Sequence, residues 1–194
     1  STEGYGGAIY CGNYSGIGLT DCNFIDNNSL LAGGAVYHAS FSGSAVESSN
    51  FTANTAGTHA GAIYYNIGCI ADVNACNFSD NSALADGGAI LAGENTSIDI
   101  TDSNFAANTA VSGAAVHLDP NCSAEILNSL LIHNAATEDG GAIYYTDANL
   151  AVDVSVMNVD RETRVDAVTT KYVGEVQVNA LVTLFKKIKF HTHE

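Results

Sequence analysis

Apolar and small residues return along the chain at a nearly constant interval. The segment from Gly6 to Tyr10 reads Gly-Gly-Ala-Ile-Tyr, and five similar segments follow at start-to-start spacings of 27, 27, 27, 26 and 27 residues. A period of this length is typical of proteins that stack one structural unit per repeat. The last position of the segment holds Tyr10, Tyr37, Tyr64, Leu91, His117 and Tyr144.

A second motif, Phe-x-x-Asn, keeps the same step. Its first position holds Phe24, Phe51, Phe78 and Phe105, then Leu131; its last holds Asn27, Asn54, Asn81, Asn108 and Asn134. Between the two motifs run an aliphatic column and a column of small residues. The aliphatic column is Leu19, Val46, Val73, Ile100 and Ile126, and the small column is Cys22, Ser49, Cys76, Ser103 and Ser129.

The apolar residues come in short runs rich in Ile, Val, Tyr and Phe, broken by Gly, Asn, Asp and Ser. This pattern predicts strands and turns. We expect each repeat to form one coil of about three short strands, stacked on the next at ~4.8 Å. The prediction is an all-β parallel β-helix of about six coils over residues 1–160. Equivalent positions then form ladders, with the apolar ladders inside and the Asn ladder at an inner turn, where stacked amides satisfy buried polar groups.

The two motifs together resemble the polymorphic outer membrane protein repeat. That repeat occurs in bacterial surface adhesins and autotransporters and in adhesin-like and sheath-type surface proteins of methanogenic archaea. The resemblance covers residues 1 to about 160, and its fifth copy departs, with Leu131 for Phe and His117 for Tyr. It implies a right-handed parallel β-helix on a cell exterior. Fold alone does not fix function.

The two ends differ from the repeats between them. Ser1 aligns with Asn28, partway through a coil, so we expect either that upstream coils were removed or that this end pairs with another molecule. Residues 161–194 lose the period, and residues 172–182 alternate as one or two amphipathic strands. This segment is either a cap on the last coil or an assembly strand that binds a neighbouring subunit.

Charge is distributed unevenly over the 194 residues, whose net charge is −15. Residues 1–160 hold 17 of the 21 acidic residues and no Lys or Arg, while all six basic residues lie in 161–194. An acidic body without cations excludes nucleic acid and anionic membrane surfaces as partners. The chain has no run of about 18 apolar residues, so we expect no direct membrane insertion.

The five cysteines fall into two groups. Cys22 and Cys76 share the small column two coils apart, beyond disulfide reach, and are interpreted as small core residues. Cys11, Cys69 and Cys122 fall in the variable loops after the Tyr position and have no obvious internal partner. Thiols left over in a protein of exterior type suggest intermolecular disulfides.

Carboxylates offer the best enzymatic hypothesis. Asp72, Asp99 and Glu125 occupy one column on adjacent coils, and Asp102 lies nearby. Such a column is a solvated acidic face, a weak site for Ca²⁺ or another divalent cation, or the acid and base of a polysaccharide hydrolase. We expect no other cofactor. No histidine accompanies a Ser or Cys in a recognisable nucleophile pattern.

Six Asn-x-Ser/Thr sequons are present. Those at Asn27, Asn50 and Asn77 lie in or beside the Phe ladder and are interpreted as structural. Those at Asn13, Asn95 and Asn121 lie in the variable loops and are candidate glycosylation sites.

The sequence therefore predicts a non-catalytic extracellular structural subunit of a cell-surface layer, sheath or fibre, which assembles with copies of itself through open β-helix ends. The first alternative is a surface adhesin that presents its variable loops to a host or matrix ligand, which is a carbohydrate or another surface ligand. Those loops are residues 11–18, 38–45, 65–72, 92–99 and 118–125. The second alternative is the polysaccharide hydrolase that uses Asp72, Asp99, Asp102 and Glu125.

Overall fold

A computed structural model describes residues 4–158, and these form a parallel β-solenoid of about five turns with a period of about 27 residues. No helix occurs in this part of the chain, so no helix there is long and apolar enough to cross a membrane. The predicted fold is confirmed. The prediction of three strands per coil is one short, because a two-residue strand follows each Asn-ladder position.

The strands form three sheets that run along the stack. The first sheet contains β1 (Ile9–Cys11), β5 (Val36–His38), β9 (Ile63–Tyr65), β13 (Ile90–Ala92), β17 (Val116–Leu118) and β20 (Ile143–Tyr145). The third contains β4 (Asn28–Ser29), β8 (Thr55–Ala56), β12 (Ser82–Ala83), β16 (Thr109–Ala110) and β19 (Ala135–Ala136).

The second sheet consists of two stacks of strands, which we call its two faces, and one long strand joins them in the last coils. One face contains β2 (Gly16–Thr20), β6 (Gly43–Glu47), β10 (Ile70–Asn74) and β14 (Ser97–Thr101); the other contains β3 (Asn23–Ile25), β7 (Asn50–Thr52), β11 (Asn77–Ser79) and β15 (Asn104–Ala106). The ten-residue strand β18 (Ser123–Ile132) runs through both faces, and β21 (Asn149–Asn158) pairs with it. Because equivalent residues pair in register, such as Phe51 with Phe78, sequence columns become ladders.

The main core lies between the sheets. Leu19, Val46, Val73, Ile100 and Ile126 pack there with the Phe column, and from Val46 onwards the members of both columns are at most 1% exposed. The Phe24, Phe51, Phe78 and Phe105 rings stack with centroid separations of 4.7, 4.8 and 4.7 Å. Burial of large side chains at every coil is the main source of stability for such a stack.

The Tyr column does not fill this core, contrary to the expectation from sequence. Side chains alternate along a strand, and in the first sheet the Ile9, Val36 and Ile63 positions face inwards, which leaves the following Tyr position outside. Tyr37 instead packs with Ala32 and Ala39 in a second, smaller cluster. Tyr10, Tyr37 and Tyr64 stack at 5.4 and 5.1 Å, whereas Leu91 and His117 separate them from Tyr144.

The Asn column lies at an inner turn and forms a continuous hydrogen-bonded ladder. The Asn81 Oδ1 atom accepts hydrogen bonds from the backbone N–H of Asn54 at 3.0 Å and from its Nδ2 at 2.9 Å. The Asn81 Nδ2 atom donates to the backbone carbonyl of Phe51 at 2.9 Å and to Asn108 Oδ1 at 3.0 Å. The same pattern extends to Asn27 at one end and Asn134 at the other.

Each corner of the coil places one residue per repeat in the left-handed region. The first-sheet corner uses Gly at five of its six positions, but the other corners use mostly residues with a Cβ. One of them holds Asp26, Ala53, Asp80, Ala107 and His133, with φ between 53° and 57°. Left-handed φ disfavours most L-residues, so the register of the stack determines the backbone at these corners.

Candidate functional site

The carboxylate column lies on the outside of the second sheet. Asp72 pairs in register with Asp99, and Asp99 with Glu125, on three neighbouring strands. All three side chains are exposed. Asp102 lies at a corner, with φ 51°. Among residues 4–158 there is no group of three or more His, Cys, Asp or Glu side chains arranged to hold a metal ion, so the calcium site stays a prediction based on register alone.

A chain of histidines and aspartates lies beside the outer Tyr column. His59 Nδ1 lies 3.5 Å from Asp86 Oδ2, and His117 Nδ1 lies 3.9 Å from Asp86 Oδ1. His117 Nε2 lies 3.4 Å from Asp119 Oδ1. The His117 side chain is only 9% exposed, and neither Nδ1 atom has a hydrogen-bond partner in the described structure.

This polar chain was missed by sequence reasoning, although one signal was present. His59 and Asp86 are 27 residues apart and therefore share a column. Charged imidazole and carboxylate groups at these separations attract each other electrostatically. The two histidines approach different oxygen atoms of the Asp86 carboxylate. Neither separation is short enough for a strong hydrogen bond.

The loop cysteines are buried in the described structure, which disfavours the predicted intermolecular disulfides without testing them. Cys11, Cys69 and Cys122 are unpaired and buried, with exposures of 7, 1 and 1%. The Cys69 thiol donates to the Ala39 carbonyl at 3.3 Å, and the Cys122 thiol donates to the Gly93 carbonyl at 3.1 Å. Burial raises the thiol pKa of all three, to about 11 for Cys122, which disfavours the reactive thiolate. Cys69 and Cys122 share a column at this turn with Thr96, whose hydroxyl donates to the Asn66 carbonyl at 3.0 Å. Cys11 lies instead in β1, where it pairs with His38.

The sequons separate by position. Asn13, Asn95 and Asn121 are exposed at turns, and Asn95 and Asn121 have φ of 60° and 62°. Asn27 belongs to the inner ladder. Asn50 and Asn77 lie instead in a second Asn ladder on the outer surface, where the Nδ2 atom of each residue donates to the Oδ1 atom of the preceding coil. This outer ladder comprises Asn23, Asn50, Asn77 and Asn104, with separations of 2.8 to 2.9 Å.

The first described coil presents a row of strand edges. Within the described residues, β1, β2, β3 and β4 each pair with a strand on one side only. The direction of the ladder is set by bonds such as Asn50 N–H to Cys22 carbonyl and Thr55 N–H to Asn27 carbonyl. The equivalent N–H groups of Asn23 and Asn28 therefore point away from the described stack. Any segment that adds a parallel strand here can accept them.

Comparison with known proteins identifies the repeat. Residues 75–93 match the model of the Chlamydia polymorphic membrane protein repeat. Together with the solenoid, this match confirms the resemblance: the chain carries a β-helix repeat of the polymorphic membrane protein kind. That family is surface-associated, adhesin-like and non-enzymatic in kind. No solved structure matches the chain.

A second similarity covers a short stretch of this chain and a small share of the related protein. The chain is 53% identical over 51 residues to an uncharacterized ATP-dependent helicase, YprA, of Bacillus subtilis. The matched stretch is 26% of this chain and 7% of the helicase. The sequence of the present chain contains no Gly-x-x-x-x-Gly-Lys-Ser/Thr phosphate-binding motif.

Proposed function

We propose that this chain, which carries the polymorphic membrane protein repeat, is a non-catalytic structural subunit of an extracellular cell-surface layer, sheath or fibre. The observation that carries the proposal is the in-register pairing of equivalent strands from coil to coil, which β1 to β4 continue on one side only within the described residues. Another copy of the chain that adds a coil there gains the same main-chain hydrogen bonds and the same ladders. Such coil-on-coil growth yields a stiff rod.

Electrostatics favour a second contribution from the basic segment. The described residues carry no Lys or Arg, so acidic bodies repel one another unless cations intervene. The six basic residues all fall in 161–194, outside the described residues. In the proposed assembly their charges lie against the acidic body of a neighbouring copy, or divalent cations take their place.

The strand-edge contact is tested by removing two edge donors. In Asn23→Pro/Asn28→Pro both free N–H groups are lost, whereas Asn23→Ala/Asn28→Ala loses the same side chains and keeps the N–H groups. Negative-stain electron microscopy and light scattering should show filaments or sheets for the wild type and the Ala variant, and short assemblies for the Pro variant. Circular dichroism checks that both variants keep the β fold.

Two results would contradict the proposal. Wild-type protein that stays monomeric at all concentrations excludes self-assembly, and equal polymers from the Pro and Ala variants exclude the strand edges as the joint. The basic segment is tested in the full chain by Lys186→Gln/Lys187→Gln/Lys189→Gln. If its cations join subunits, this variant should assemble at a higher protein concentration than wild type at low salt, with a smaller difference at high salt.

The second candidate function is an adhesin. It is favoured by the position of the variable loops, whose tips at Asn13, Asn95 and Asn121 are exposed along one corner of the solenoid. An adhesin binds as a monomer and does not depend on the strand edges. Binding of a glycan or host-surface extract by the Pro variant at full wild-type affinity would favour this function over the structural one.

A further inference from the structure

Two aromatic residues occupy backbone positions that suit glycine or asparagine. One corner column of the solenoid is left-handed in every coil, and its later members are Gly68, Asn95, Asn121 and Asp147. In the first two coils the same positions hold Tyr14 and Phe41, with φ of 56° and 59°. A bulky residue at positive φ is a genuine conformational outlier, and such outliers concentrate where a side chain has a role beyond the local fold.

The two rings form an exposed stack. Tyr14 and Phe41 lie with centroids 5.3 Å apart and planes 11° from parallel. Phe41 also covers Gly68, where an added Cβ would lie 2.6 Å from the Phe41 Cδ1 atom. Despite these contacts Tyr14 is 78% exposed and Phe41 51%.

Aliphatic side chains and bare backbone extend this surface. Ile67 and Ile70 lie on either side of Gly68 in sequence and are 42% and 68% exposed. The positions above Ile70 in the stack are Gly43 and Gly16, which add no side chain. We call Tyr14, Phe41, Ile67 and Ile70 the aromatic corner. Exposed apolar side chains grouped on neighbouring positions in this way mark interaction sites.

Charge divides the described solenoid into two halves. Residues 4–71 carry only Asp21, Asp26 and Glu47, whereas residues 72–158 carry twelve carboxylates. Neither half contains a Lys or Arg. The large hydrophobic residues that stand out as exposed, from Tyr10 to Leu84, fall in or next to the weakly charged half. The solenoid is therefore apolar on its surface near one end and acidic towards the other.

We propose that the aromatic corner binds the aromatic corner of a second copy, with the two solenoids antiparallel. Like pairs with like in a two-fold contact, so one patch supplies both sides. Tyr is among the residues that carry most energy at such contacts, and Phe buries a large apolar area there. The antiparallel arrangement points the two acidic halves in opposite directions, whereas a parallel one places them side by side.

This inference rests on the proposed self-assembly but uses a different surface from the strand edges. The edges extend a solenoid along its axis, and the corner joins two solenoids laterally. Since the corner contact is apolar and its neighbours are acidic, added NaCl should tighten it. A contact made by the basic segment responds in the opposite direction.

The test compares two double variants in the edge-blocked Asn23→Pro/Asn28→Pro background, where lateral pairs are measured without long polymers. Tyr14→Asn/Phe41→Asn removes the rings and installs the residue that the same column uses at Asn95 and Asn121, so the fold is retained. Leu30→Asn/Leu84→Asn removes two other apolar side chains, exposed by 78% and 76%. Sedimentation equilibrium should show dimers for the background and the Leu variant, and a dissociation constant at least about tenfold higher for the Tyr14/Phe41 variant.

Orientation is measured with spin labels in a Cys22→Ser background, because Cys22 is the one cysteine of the chain that is not buried. Antiparallel pairing brings labels at Asn13→Cys close together and keeps labels at Glu138→Cys far apart. Short distances at both positions would overturn the antiparallel arrangement.

Other outcomes separate this inference from the proposed function. Equal weakening by both double variants, or none by either, overturns the corner contact. With intact edges, the Tyr14/Phe41 variant should form single filaments without lateral pairs, which would support both the structural function and the corner contact. Filaments that remain paired in this variant would support the structural function and overturn the corner contact. A background that stays monomeric, yet binds a glycan in a Tyr14-dependent manner, overturns the second copy as occupant and supports the adhesin.

Discussion

Each amide of the inner Asn ladder satisfies several backbone and side-chain groups at once. Asn81 is fully buried, and its side chain makes four hydrogen bonds, which involve Asn54, Phe51 and Asn108. A buried donor or acceptor left without a partner costs about 1–3 kcal/mol. A turn that repeats inside the solenoid therefore requires a side chain with both a donor and an acceptor.

We expect Asn81→Ala to lower the free energy of unfolding by about 3 kcal/mol, because the Asn54 N–H loses its acceptor and the Phe51 carbonyl loses one donor. Asn77→Ala in the same coil is the matched control. Asn77 is exposed and forms the outer ladder with Asn50 and Asn104, so its loss should cost less than about 0.5 kcal/mol. Urea denaturation followed by circular dichroism measures both. Equal costs would mean that the inner ladder adds nothing beyond the outer one.

His38 is a buried residue whose protonation opposes folding. It is fully buried, stacks on Tyr65 at 4.9 Å, and neither ring nitrogen has a hydrogen-bond partner in the described structure. Burial lowers its pKa from 6.5 to about 4. Since the unfolded state binds the proton more readily, the stability that neutral His38 contributes is complete above pH 6.5 and is lost as the pH falls towards 4.

Unfolding free energies measured from pH 8 to pH 4 should therefore fall by about 3 kcal/mol more in wild type than in His38→Leu. Leucine already occupies this column at Leu118. His133→Asn removes an exposed histidine and should keep the wild-type profile. Identical profiles for wild type and His38→Leu would show that the ring is solvated or paired in solution.

At the scale of strands and turns, the 27-residue period predicted which residues stack on one another. It did not predict which side of a strand faces the core. The in-register Phe and aliphatic ladders follow from a 27-residue step, because identical positions in a stack must meet. To predict that the Tyr column faces outwards, one must know which residues of a three-residue strand point inwards. The sequence of so short a strand does not show this. The neighbouring inward position holds Cys11, His38, Tyr65, Ala92 and Leu118, whose varied chemistry hides their shared burial.

Turns were the least predictable elements. The sequence signals a left-handed corner where glycine recurs, as at Gly33 and Gly87, but not where Ala53 and Ala107 take the same conformation. At those corners the strands on both sides determine φ. The candidate site shows the same limit: spacing placed Asp72, Asp99 and Glu125 correctly in one column, whereas the burial of Cys69 and Cys122 depends on a turn geometry that spacing does not contain.

At the scale of the whole molecule, the repeat that aligns apolar residues from coil to coil also aligns charged residues. Asp72, Asp99 and Glu125 are held about 4.8 Å apart along the stack. Like charges on directly opposite strand positions destabilise a sheet by roughly 0.2–1 kcal/mol per pair. No Lys or Arg in the described residues offsets them. Repulsion between surface carboxylates therefore opposes the folding of the acidic half of the solenoid. Its stability should rise when dissolved ions screen that repulsion.

We expect the melting temperature to rise with ionic strength up to about 0.15 M, where the screening length falls to about 8 Å. Asp99→Asn removes the central charge of the column and should raise the melting temperature at low salt, with a smaller gain at high salt. Asp26→Asn is the control, because Asp26 faces Ala53 in the next coil and retains its left-handed backbone as asparagine. Calcium and sodium chloride at equal ionic strength separate binding from screening. A calcium-specific rise that Asp99→Asn abolishes would support the predicted cation site, whereas equal rises would mean that ions act on the acidic half only by screening its charge.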